Sequence, residues 1–422
     1  MAVDRSKTSL FPKSNGPYSG LFFIAGYDET NQSFIAALQE NTNIVEVGSF
    51  GYGFSPEEKQ TLIQTIMANR IDVGNNGVIR IKPSICVELQ FESMLNDRLT
   101  LPIFRAFRLS ADWSECTWNK LIIDNAAVRS KVKLTNPTKW LWPDARIDKE
   151  EYVAYLVRIS SLMLPFLRNR TLTTIRYPHG VPGESFYQKN RPDYAPDFVR
   201  SHVEGDIDYI VCDDLTTLLW LGNQAAIEFH IPFHTIGREH PIDIVFDLDP
   251  PSKDKLSLAV KAALEMKAAF DGFGIVSYPK LTGGKGMQIH IPLGPGSRLT
   301  YEDTRVFTQF VAQYVTEKHP ADFTTERLKK NRGNRLYVDF VQHAPGKTMV
   351  CPYSPRGSIQ ATVAAPLYWN EVNGRLNAEA FTLRTVLDRL ADKACPMLDF
   401  WQQDNSSVLT QLIMRLKETG VS

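Results

Sequence analysis

This sequence of 422 residues is poor in several features that mark particular classes of protein. It has 5 scattered cysteines and no CxxC pair, which argues against a structural zinc site. No stretch approaches the ~18 apolar residues of a membrane-spanning helix, and the polar segment 1–20 has no apolar stretch typical of a secretory signal. Unpaired thiols suit a reducing compartment, so we expect a cytoplasmic protein.

The chain also has no formal net charge at pH 7. Lys and Arg number 47, and Asp and Glu number 47, so whole-chain charge favours neither nucleic acid nor any other ligand. A basic surface must therefore arise from local clustering of charge. Hydrophobic residues make up 43% of the chain and charged residues 22%, which is ordinary for a globular protein and excludes a largely disordered chain or a fibre. The length predicts two or three domains.

The N-terminal part, 1–115, alternates in hydrophobicity as short strands around one helix. We predict that helix over 56–69, because Ser55 can cap it and Pro56 suits its first position. Several short strands with one helix in about a hundred residues are typical of a small barrel. The polar stretch 116–134 is predicted to be a linker.

The remainder, 135–422, mixes helices and strands and is predicted to be an α+β domain. Apolar residues at steps of three and four predict a helix over 150–167. Apolar runs of strand length predict strands at 242–248, 287–293 and 336–342.

The clearest chemical pattern is a pair of acidic residues at the end of an apolar strand. Asp247 and Asp249 are separated by one residue, so a strand would point both to the same face of its sheet. Neighbouring carboxylates repel each other unless a cation lies between them, and hard divalent ions bind such oxygens. Asp339, in another apolar strand, would complete a two-metal site for phosphoryl transfer. Alternatively, these aspartates cap turns at strand ends.

A glycine-rich segment, 282–286, lies between two apolar stretches. Its backbone N–H groups could approach an anion, and Lys285 adds positive charge. The GxxxxGK[ST] spacing of a nucleotide-binding P-loop is absent. The alternative is the turn of a hairpin with a solvated lysine.

Five basic residues occur within 327–335, immediately before the strand of Asp339. A charge run usually forms a solvated face, but this run would lie where phosphates meet the proposed metal ions. Arg356, on a predicted loop, is a further candidate for phosphate contact. His230 lies on a possible strand before the aspartate pair, and a structural histidine is the default interpretation.

From about residue 134 to its C-terminus, the chain resembles the polymerase domain of bacterial ATP-dependent DNA ligase D, in the archaeo-eukaryotic primase superfamily. The resemblance depends on an ordered set of segments. They are Asn136-Pro137-Thr138-Lys139, Arg176-Tyr177-Pro178-His179-Gly180, Phe186-Tyr187-Gln188-Lys189-Asn190, the Asp247/Asp249 pair, Gly284-Lys285-Gly286, Asp339 and Ala364-Ala365-Pro366-Leu367-Tyr368-Trp369.

The resemblance implies roles for particular residues. Asp247, Asp249 and Asp339 would be catalytic and would hold two metal ions. Lys139 and Lys149 would bind a DNA 5′-phosphate. The positions that match contacts to the incoming nucleotide are His230, Thr282, Lys285, Arg332, Arg356 and Lys189.

The glycine-rich segment departs from the family pattern in two ways. Thr282 stands where the family usually has Ser, which keeps the hydroxyl. Met287 and Gln288 stand where it usually has Leu and His. His290 would lie on the same strand face and is a possible substitute, so we assign no catalytic role to Gln288.

The N-terminal part resembles the OB-fold domain of ATP-dependent ligases through the segments 81–89 and 101–108. Arg105 and Arg108 lie near the last motif of that family. No KxDG occurs in the chain, and Lys267 followed by Asp271-Gly272 has the wrong spacing. The chain therefore resembles a ligase D fragment without the adenylation domain, and we expect no ligase activity from it alone.

The resemblance implies a template-directed nucleotidyltransferase that fills gaps and extends 3′ ends during bacterial non-homologous end joining. It also implies NTP and dNTP substrates with a preference for ribonucleotides, and two ions of Mn²⁺ (or Mg²⁺). The implied partners are DNA ends with a 5′-phosphate, Ku and the ligase adenylation domain, in the cytoplasm at the nucleoid. The alternatives are a metal-dependent nuclease or phosphoesterase, and a non-catalytic module that binds DNA ends.

Overall fold

The computed structural model describes residues 17–40, 43–73, 77–95, 97–130 and 132–420. The chain divides into two units, Met1–Leu134 and Thr135–Ser422. None of the helices in the described ranges is long and apolar enough to cross a membrane.

The first unit is built around one curled antiparallel sheet. Its strands are β1 (Tyr18–Asp28), β2 (Ser33–Glu40), β3 (Asn43–Phe50), β4 (Arg70–Val73), β5 (Val78–Ile81), β6 (Cys86–Phe91), β7 (Ser93–Leu95), β8 (Arg98–Thr100) and β9 (Ile103–Phe107). Its helices are α1 (Pro56–Ala68), α2 (Trp118–Ser130) and a 3-10 turn at Trp113–Glu115.

Strand β1 is the centre of this sheet because it pairs with three others. The strand order is β3-β2-β1-β5-β4, and β6 pairs with both β1 and β9. The first half of β1 pairs with β6 and its last residues pair with β5, so the sheet curls around one core. Beyond β3, the carbonyl of Tyr52 accepts a hydrogen bond from the N–H of Phe104 at 2.9 Å.

The predicted helix over 56–69 is confirmed as α1. Ser55 Oγ accepts from the Glu58 N–H at 3.2 Å, and Glu58 Oε2 accepts from the Ser55 N–H at 2.7 Å. This reciprocal pair satisfies two N–H groups that a helix end leaves without partners. Leu62 and Ile66 on the inner face are buried.

The stretch predicted as a linker, 116–134, instead contains α2, which packs onto the sheet. Leu121 is buried in the core of the first unit, and Asn125 Nδ2 donates to the Ser19 carbonyl at 2.8 Å. The prediction of a linker failed because the apolar residues of α2 are consecutive (121–123) and give little helical periodicity.

The second unit mixes strands and helices, as expected. Its strands are β10 (Trp140–Trp142), β11 (Ile147–Asp148), β12 (Thr173–Arg176), β13 (Phe186–Gln188), β14 (Ser201–Glu204), β15 (Ile207–Ile210), β16 (Ala226–Pro232), β17 (Asp243–Asp249), β18 (Tyr278–Leu281), β19 (Met287–Pro292), β20 (Phe323–Thr324), β21 (Leu336–Asp339) and β22 (Thr348–Val350). Its helices are α3 (Lys149–Leu167), α4 (Leu215–Asn223), α5 (Leu256–Gly272), α6 (Tyr301–Lys318), α7 (Lys329–Arg332), α8 (Leu383–Asp392) and α9 (Ser406–Glu418). Short 3-10 turns occur at Lys253–Lys255, Trp369–Glu371, Ala378–Ala380 and Phe400–Gln402.

Two sheets form the frame of this unit. One has the order β13-β12-β16-β22, and the other has the order β18-β19-β17-β21-β20. Alternate residues of β17, such as Phe246 and Leu248, are buried in a core shared with α5, α6 and α9. The opposite face of β17 carries the acidic residues. Lys280, on that second face, donates from Nζ to the Val350 carbonyl of the other sheet at 2.6 Å.

Candidate active site

The three aspartates lie on one face of the five-stranded sheet. Asp247 and Asp249 are alternate residues of β17, and Asp339 ends the neighbouring strand β21. In the antiparallel register of these strands, Asp247 lies directly opposite Asp339. The structure therefore brings together three carboxylates that are separated by up to 92 positions in the sequence.

The electrostatics of Asp247 reflect this grouping. Burial raises the pKa of its carboxyl, and the negative charges of Asp339 and Asp249 raise it further, to about 6. A hydrogen bond from Gln288 opposes the increase. A carboxyl whose ionised form is disfavoured by two like charges is one that a bound cation would return to the charged state.

Asp249 and Asp339 have partners of their own. Asp249 Oδ1 lies 3.0 Å from Lys285 Nζ, and its Oδ2 lies 3.3 Å from Arg332 Nη1. Asp339 Oδ1 accepts from the Tyr337 hydroxyl at 3.1 Å. Within the described ranges, no three His, Cys, Asp or Glu side chains are grouped closely enough to hold a metal ion. The donor set still suits a hard divalent cation, because it consists of carboxylate oxygens that repel one another.

The glycine-rich segment forms a tight turn between β18 and β19. The Thr282 hydroxyl accepts from the N–H groups of Gly284 and Gly286 at 3.2 and 3.3 Å, and it donates to the Gly286 carbonyl at 3.0 Å. Thr282 thus shapes the turn, while Lys285 extends from it to Asp249. Gly283 has a φ of +69°, and a Cβ there would come within 2.6 Å of Arg356 Cγ.

Arg332 is fixed from several sides. Its guanidinium lies over the Tyr337 ring at 3.8 Å, and it donates to the carbonyls of Glu326 at 2.9 Å and Arg327 at 2.7 Å. The basic run includes the short helix α7, and Arg332 points from it to Asp249. At this residue, the interpretation of the run as a merely solvated face is therefore wrong.

His230 and Arg356 meet at a residue that the sequence analysis did not single out. Glu228 Oε2 lies 3.0 Å from His230 Nε2 and 3.3 Å from Arg356 Nε. Arg356 also donates from Nη1 to the Thr282 carbonyl at 3.3 Å. The available signal was the Glu-x-His spacing, which places Glu228 and His230 on the same face of β16.

Lys280 is a second residue that the sequence analysis missed. Its side chain is fully buried, and burial lowers the pKa of its ammonium group to about 7, although the charge of Asp247 opposes this decrease. It lies next to Gln288 in the register of β18 and β19. Its place within an apolar strand pattern did not indicate that it would lie near Asp247 in the sheet.

Gln288 and His290, which follow the glycine-rich segment, have different neighbours in the structure. Gln288 lies opposite Asp247 in the β-ladder and donates to its Oδ1 from Nε2 at 3.1 Å. His290 is 1% exposed and lies 3.0 Å from Asp243 Oδ2. His290 therefore faces Asp243, and Gln288 is the residue that contacts the aspartate cluster.

The remaining predicted residues lie elsewhere. Lys189 is exposed just after β13, with no side-chain contact to the aspartates. Lys139 donates from Nζ to the Pro178 carbonyl, and Lys149 donates to the Asn223 carbonyl at 3.1 Å. Burial lowers the pKa of Lys149, and the charge of Lys139 lowers it further. The two residues are neighbours, because the Lys149 N–H donates to the Lys139 carbonyl at 2.9 Å.

Arg105 and Arg108 belong to the first unit. Arg105 donates to the side-chain oxygen of Gln90, and Arg108 forms an ion pair with Glu88. Both contacts join β9, or the residue just after it, to β6.

The chain is similar to known proteins over nearly its whole length. Residues 148–397 match the family described as LigD, primase-polymerase domain. The bifunctional non-homologous end joining protein LigD of Bacillus subtilis is 45% identical over 416 residues, which cover 99% of this chain and 68% of that protein. The multifunctional non-homologous end joining protein LigD of Mycolicibacterium smegmatis is 32% identical over 269 residues, which cover 62% of this chain and 35% of that protein.

A solved structure supports the same fold. The polymerase domain of Mycobacterium tuberculosis ligase D, in complex with DNA, superposes with a TM-score of 0.60 at 28% identity. The match covers 65% of this chain and 99% of that domain. The expected primase-polymerase fold is therefore confirmed, whereas an OB-fold in the first unit is not.

Proposed function

The chain belongs to the LigD primase-polymerase family, and from that premise we propose that it fills gaps and extends 3′ ends at DNA double-strand breaks. The reaction would be template-directed nucleotide transfer, in which a primer 3′-hydroxyl displaces pyrophosphate from an incoming nucleotide. The observation that carries the proposal is the placement of Asp247 opposite Asp339, with Asp249 held beside Lys285 and Arg332. Acidic side chains that could hold metal ions thus lie next to basic side chains that could bind phosphates, and nucleotide transfer needs both.

The basic residues would bind the triphosphate. Lys285 and Arg332 are each paired with Asp249. Each also has further N–H groups that could donate hydrogen bonds to phosphate oxygens. Arg356 and His230, held together by Glu228, would contact the same nucleotide. Positive groups fixed in advance stabilise negative charge as it develops on the phosphate and the leaving group.

Asp247, Asp249 and Asp339 would hold the divalent metal that this chemistry uses, and we propose two ions per site, with Mn²⁺ preferred to Mg²⁺. Such ions, when bound, activate the attacking hydroxyl and neutralise charge on the phosphates. The contribution of the chain is to keep three carboxylates on one rigid sheet. We also propose a preference for ribonucleotides.

Lys139 and Lys149 would bind the 5′-phosphate on the far side of a gap. Within the described ranges, neither ammonium group forms an ion pair with a carboxylate, and each donates to a backbone carbonyl. Two neighbouring lysines without a counterion favour an anion such as a phosphate dianion. Lys189 would approach the nucleotide from the end of β13.

The first unit would be the OB-fold domain of the ligase. Its support is the strand sequence around one curled core, with α1 between β3 and β4. Arg105 and Arg108 would then belong to the ligase part of the protein. We propose Ku and the ligase adenylation domain as partners, and work on broken chromosomes would place the protein at the nucleoid.

The decisive experiment is primer extension on a gapped duplex with a 5′-phosphate. Wild-type protein should add templated nucleotides, faster with ribonucleotides than with deoxynucleotides and faster in Mn²⁺ than in Mg²⁺. Asp249→Asn should reduce addition by about 100-fold or more while DNA binding persists. Shortening of the strand would instead identify a nuclease, and DNA binding without metal-dependent turnover would identify a binding module.

A further inference from the structure

We propose that Glu228 is a positioning residue that holds His230 and Arg356 ready for the triphosphate of the incoming nucleotide. The inference rests on the proposed function and deepens it, because it adds a residue to the nucleotide site. Glu228 would not touch the substrate itself. Its role would be to fix two groups that do.

Among the residues that the structure describes, the hydrogen bonds and ion pairs of the Glu228 carboxylate go to His230 and to the loop at 356–357. Oε2 lies 3.0 Å from His230 Nε2 and 3.3 Å from Arg356 Nε. Oε1 accepts from the Gly357 N–H at 2.9 Å. One carboxylate therefore holds a histidine on β16 together with both the side chain and the backbone of the loop at 356–357.

The carboxylate is held in its charged form by these contacts. Glu228 is 5% exposed, and burial by itself would raise its pKa. The hydrogen bond with His230, the charge of Arg356 and the Gly357 N–H more than offset burial, so the pKa lies below its ordinary value. Since a buried charge is costly without such partners, Glu228 and its partners form one unit.

The loop that carries Arg356 is closely packed. A Cβ at Gly357 would come within 1.9 Å of the Tyr177 hydroxyl, so the backbone fits closely there. Arg356 packs against Gly283 and donates to the Thr282 carbonyl at 3.3 Å. Glu228 thereby connects β16 to the glycine-rich turn that presents Lys285.

Arg356 keeps donors for a substrate. Its Nε faces Glu228 and its Nη1 faces Thr282, while Nη2 has no hydrogen-bond partner among the described residues. The side chain is 25% exposed, so it is not fully enclosed by the protein. A guanidinium that is fixed through Nε and Nη1 and keeps the donors of Nη2 suits a phosphate oxygen of a nucleoside triphosphate.

The test compares Glu228→Gln with wild-type full chain in primer extension on gapped duplex. The amide keeps the shape but loses the charge that orients both partners. We expect the KM for NTP to rise about tenfold or more, the size of one lost charge-assisted hydrogen bond, with kcat changed much less. Affinity for the duplex, measured by fluorescence anisotropy, should be unchanged.

A matched control separates positioning from general destabilisation. Asp243 is also buried and also lies 3.0 Å from a histidine, His290, but neither belongs to the nucleotide site. Asp243→Asn should leave the KM for NTP near wild type in whatever fraction of protein folds. An equal rise in KM for both variants would overturn the proposal. If Glu228→Gln fails to fold, Glu228→Asp, which keeps the charge but shortens its reach, should show the same selective rise in KM.

A double-mutant cycle gives a sharper criterion. If Glu228 acts through Arg356, adding Glu228→Gln to Arg356→Ala should raise the KM much less than it does in wild type. Fully additive effects would contradict positioning. Calorimetric titration with ATP keeps this result separate from the proposed function. Suppose that wild-type protein binds ATP tenfold more tightly than Glu228→Gln but extends no primer. That result would support the positioning role of Glu228 and refute the proposed polymerase function. Equal ATP affinities refute this inference alone.

Discussion

Gln288 donates a hydrogen bond from Nε2 to Asp247 Oδ1 across the ladder between β19 and β17, at 3.1 Å. Its other terminal atom, Oε1, is buried and has no partner in the described part of the chain. Gln288 is therefore a neutral group that favours the ionised form of Asp247 in a cluster of like charges. This gives an amide at position 288 a physical role beside the carboxylates that we propose as metal ligands.

Removing that hydrogen bond should change the pH dependence of nucleotide addition. The bond stabilises ionised Asp247, so Gln288→Leu should raise the pKa of Asp247 further above about 6. Because the ionised carboxylate is the active form, the acid limb of the pH–rate profile should move to higher pH. The ratio of rates at pH 6 and pH 8 is the measurement. A ratio equal to that of wild type would show that the hydrogen bond does not tune Asp247.

The two lysines near the start of α3 predict discrimination between DNA ends. A 5′-phosphate on the downstream strand should strengthen binding to wild-type protein, and more so at low salt. Lys139→Ala should remove most of that difference, as measured by anisotropy at two salt concentrations. Lys393→Ala, which removes an exposed lysine, is the matched control and should keep it. If Lys139→Ala still distinguishes the two ends, the phosphate binds elsewhere.

Local structure was predictable where local chemistry decides it. Ser55 as a cap and Pro56 at the first position predicted the start of α1, and alternation predicted that Asp247 and Asp249 share a face. The sequence could offer Asp339 as a third carboxylate, but its place opposite Asp247 depends on a strand register set by long-range packing. Glu228 was missed because its importance lies in distant partners. Periodicity also failed at α2, where burial against β1 stabilises a weakly patterned helix.

The buried side chain of His343 should make the stability of the fold depend on pH. His343 is 1% exposed, and burial, with a smaller effect from Arg305, lowers its pKa to about 4 although the charge of Asp243 opposes this. The unfolded chain takes up this proton near pH 6.5, so stability is present above that pH and is lost as pH falls towards 4. Between pH 7 and pH 5 the protonation of this histidine should lower the free energy of unfolding by about 2 kcal/mol.

Replacing the histidine isolates its effect from other groups. Asp247 acts in the opposite sense, since its raised pKa favours the folded state as pH falls from about 6. His343→Gln, which can still contact Thr304, should reduce the loss of stability between pH 7 and pH 5. Urea unfolding at both pH values measures it. An identical loss in the variant and in wild type would assign the pH dependence to other groups.

The full chain should form no covalent adduct with AMP. No KxDG occurs in the sequence, and the nearest pattern starts at Lys267. Lys267 lies in α5, forms an ion pair with Asp271 and lies 5.5 Å from the centre of the Trp369 ring. A helical lysine paired in this way is a poor nucleophile for ATP. Incubation with α-labelled ATP and denaturing electrophoresis should show no labelled protein, and a label lost in Lys267→Arg would contradict this.

The second unit should retain polymerase activity without the first. All the proposed metal-binding and nucleotide-binding residues, together with Lys139 and Lys149, lie within Thr135–Ser422. That unit has its own core, which includes Phe246 and Phe307, and a compact unit with a separate core is expected to fold alone. A truncated chain of residues 135–422 should therefore extend primers on gapped duplex within about threefold of the full chain, once its fold is verified by circular dichroism. A folded truncated chain that extends no primer would show that the first unit contributes to the polymerase site.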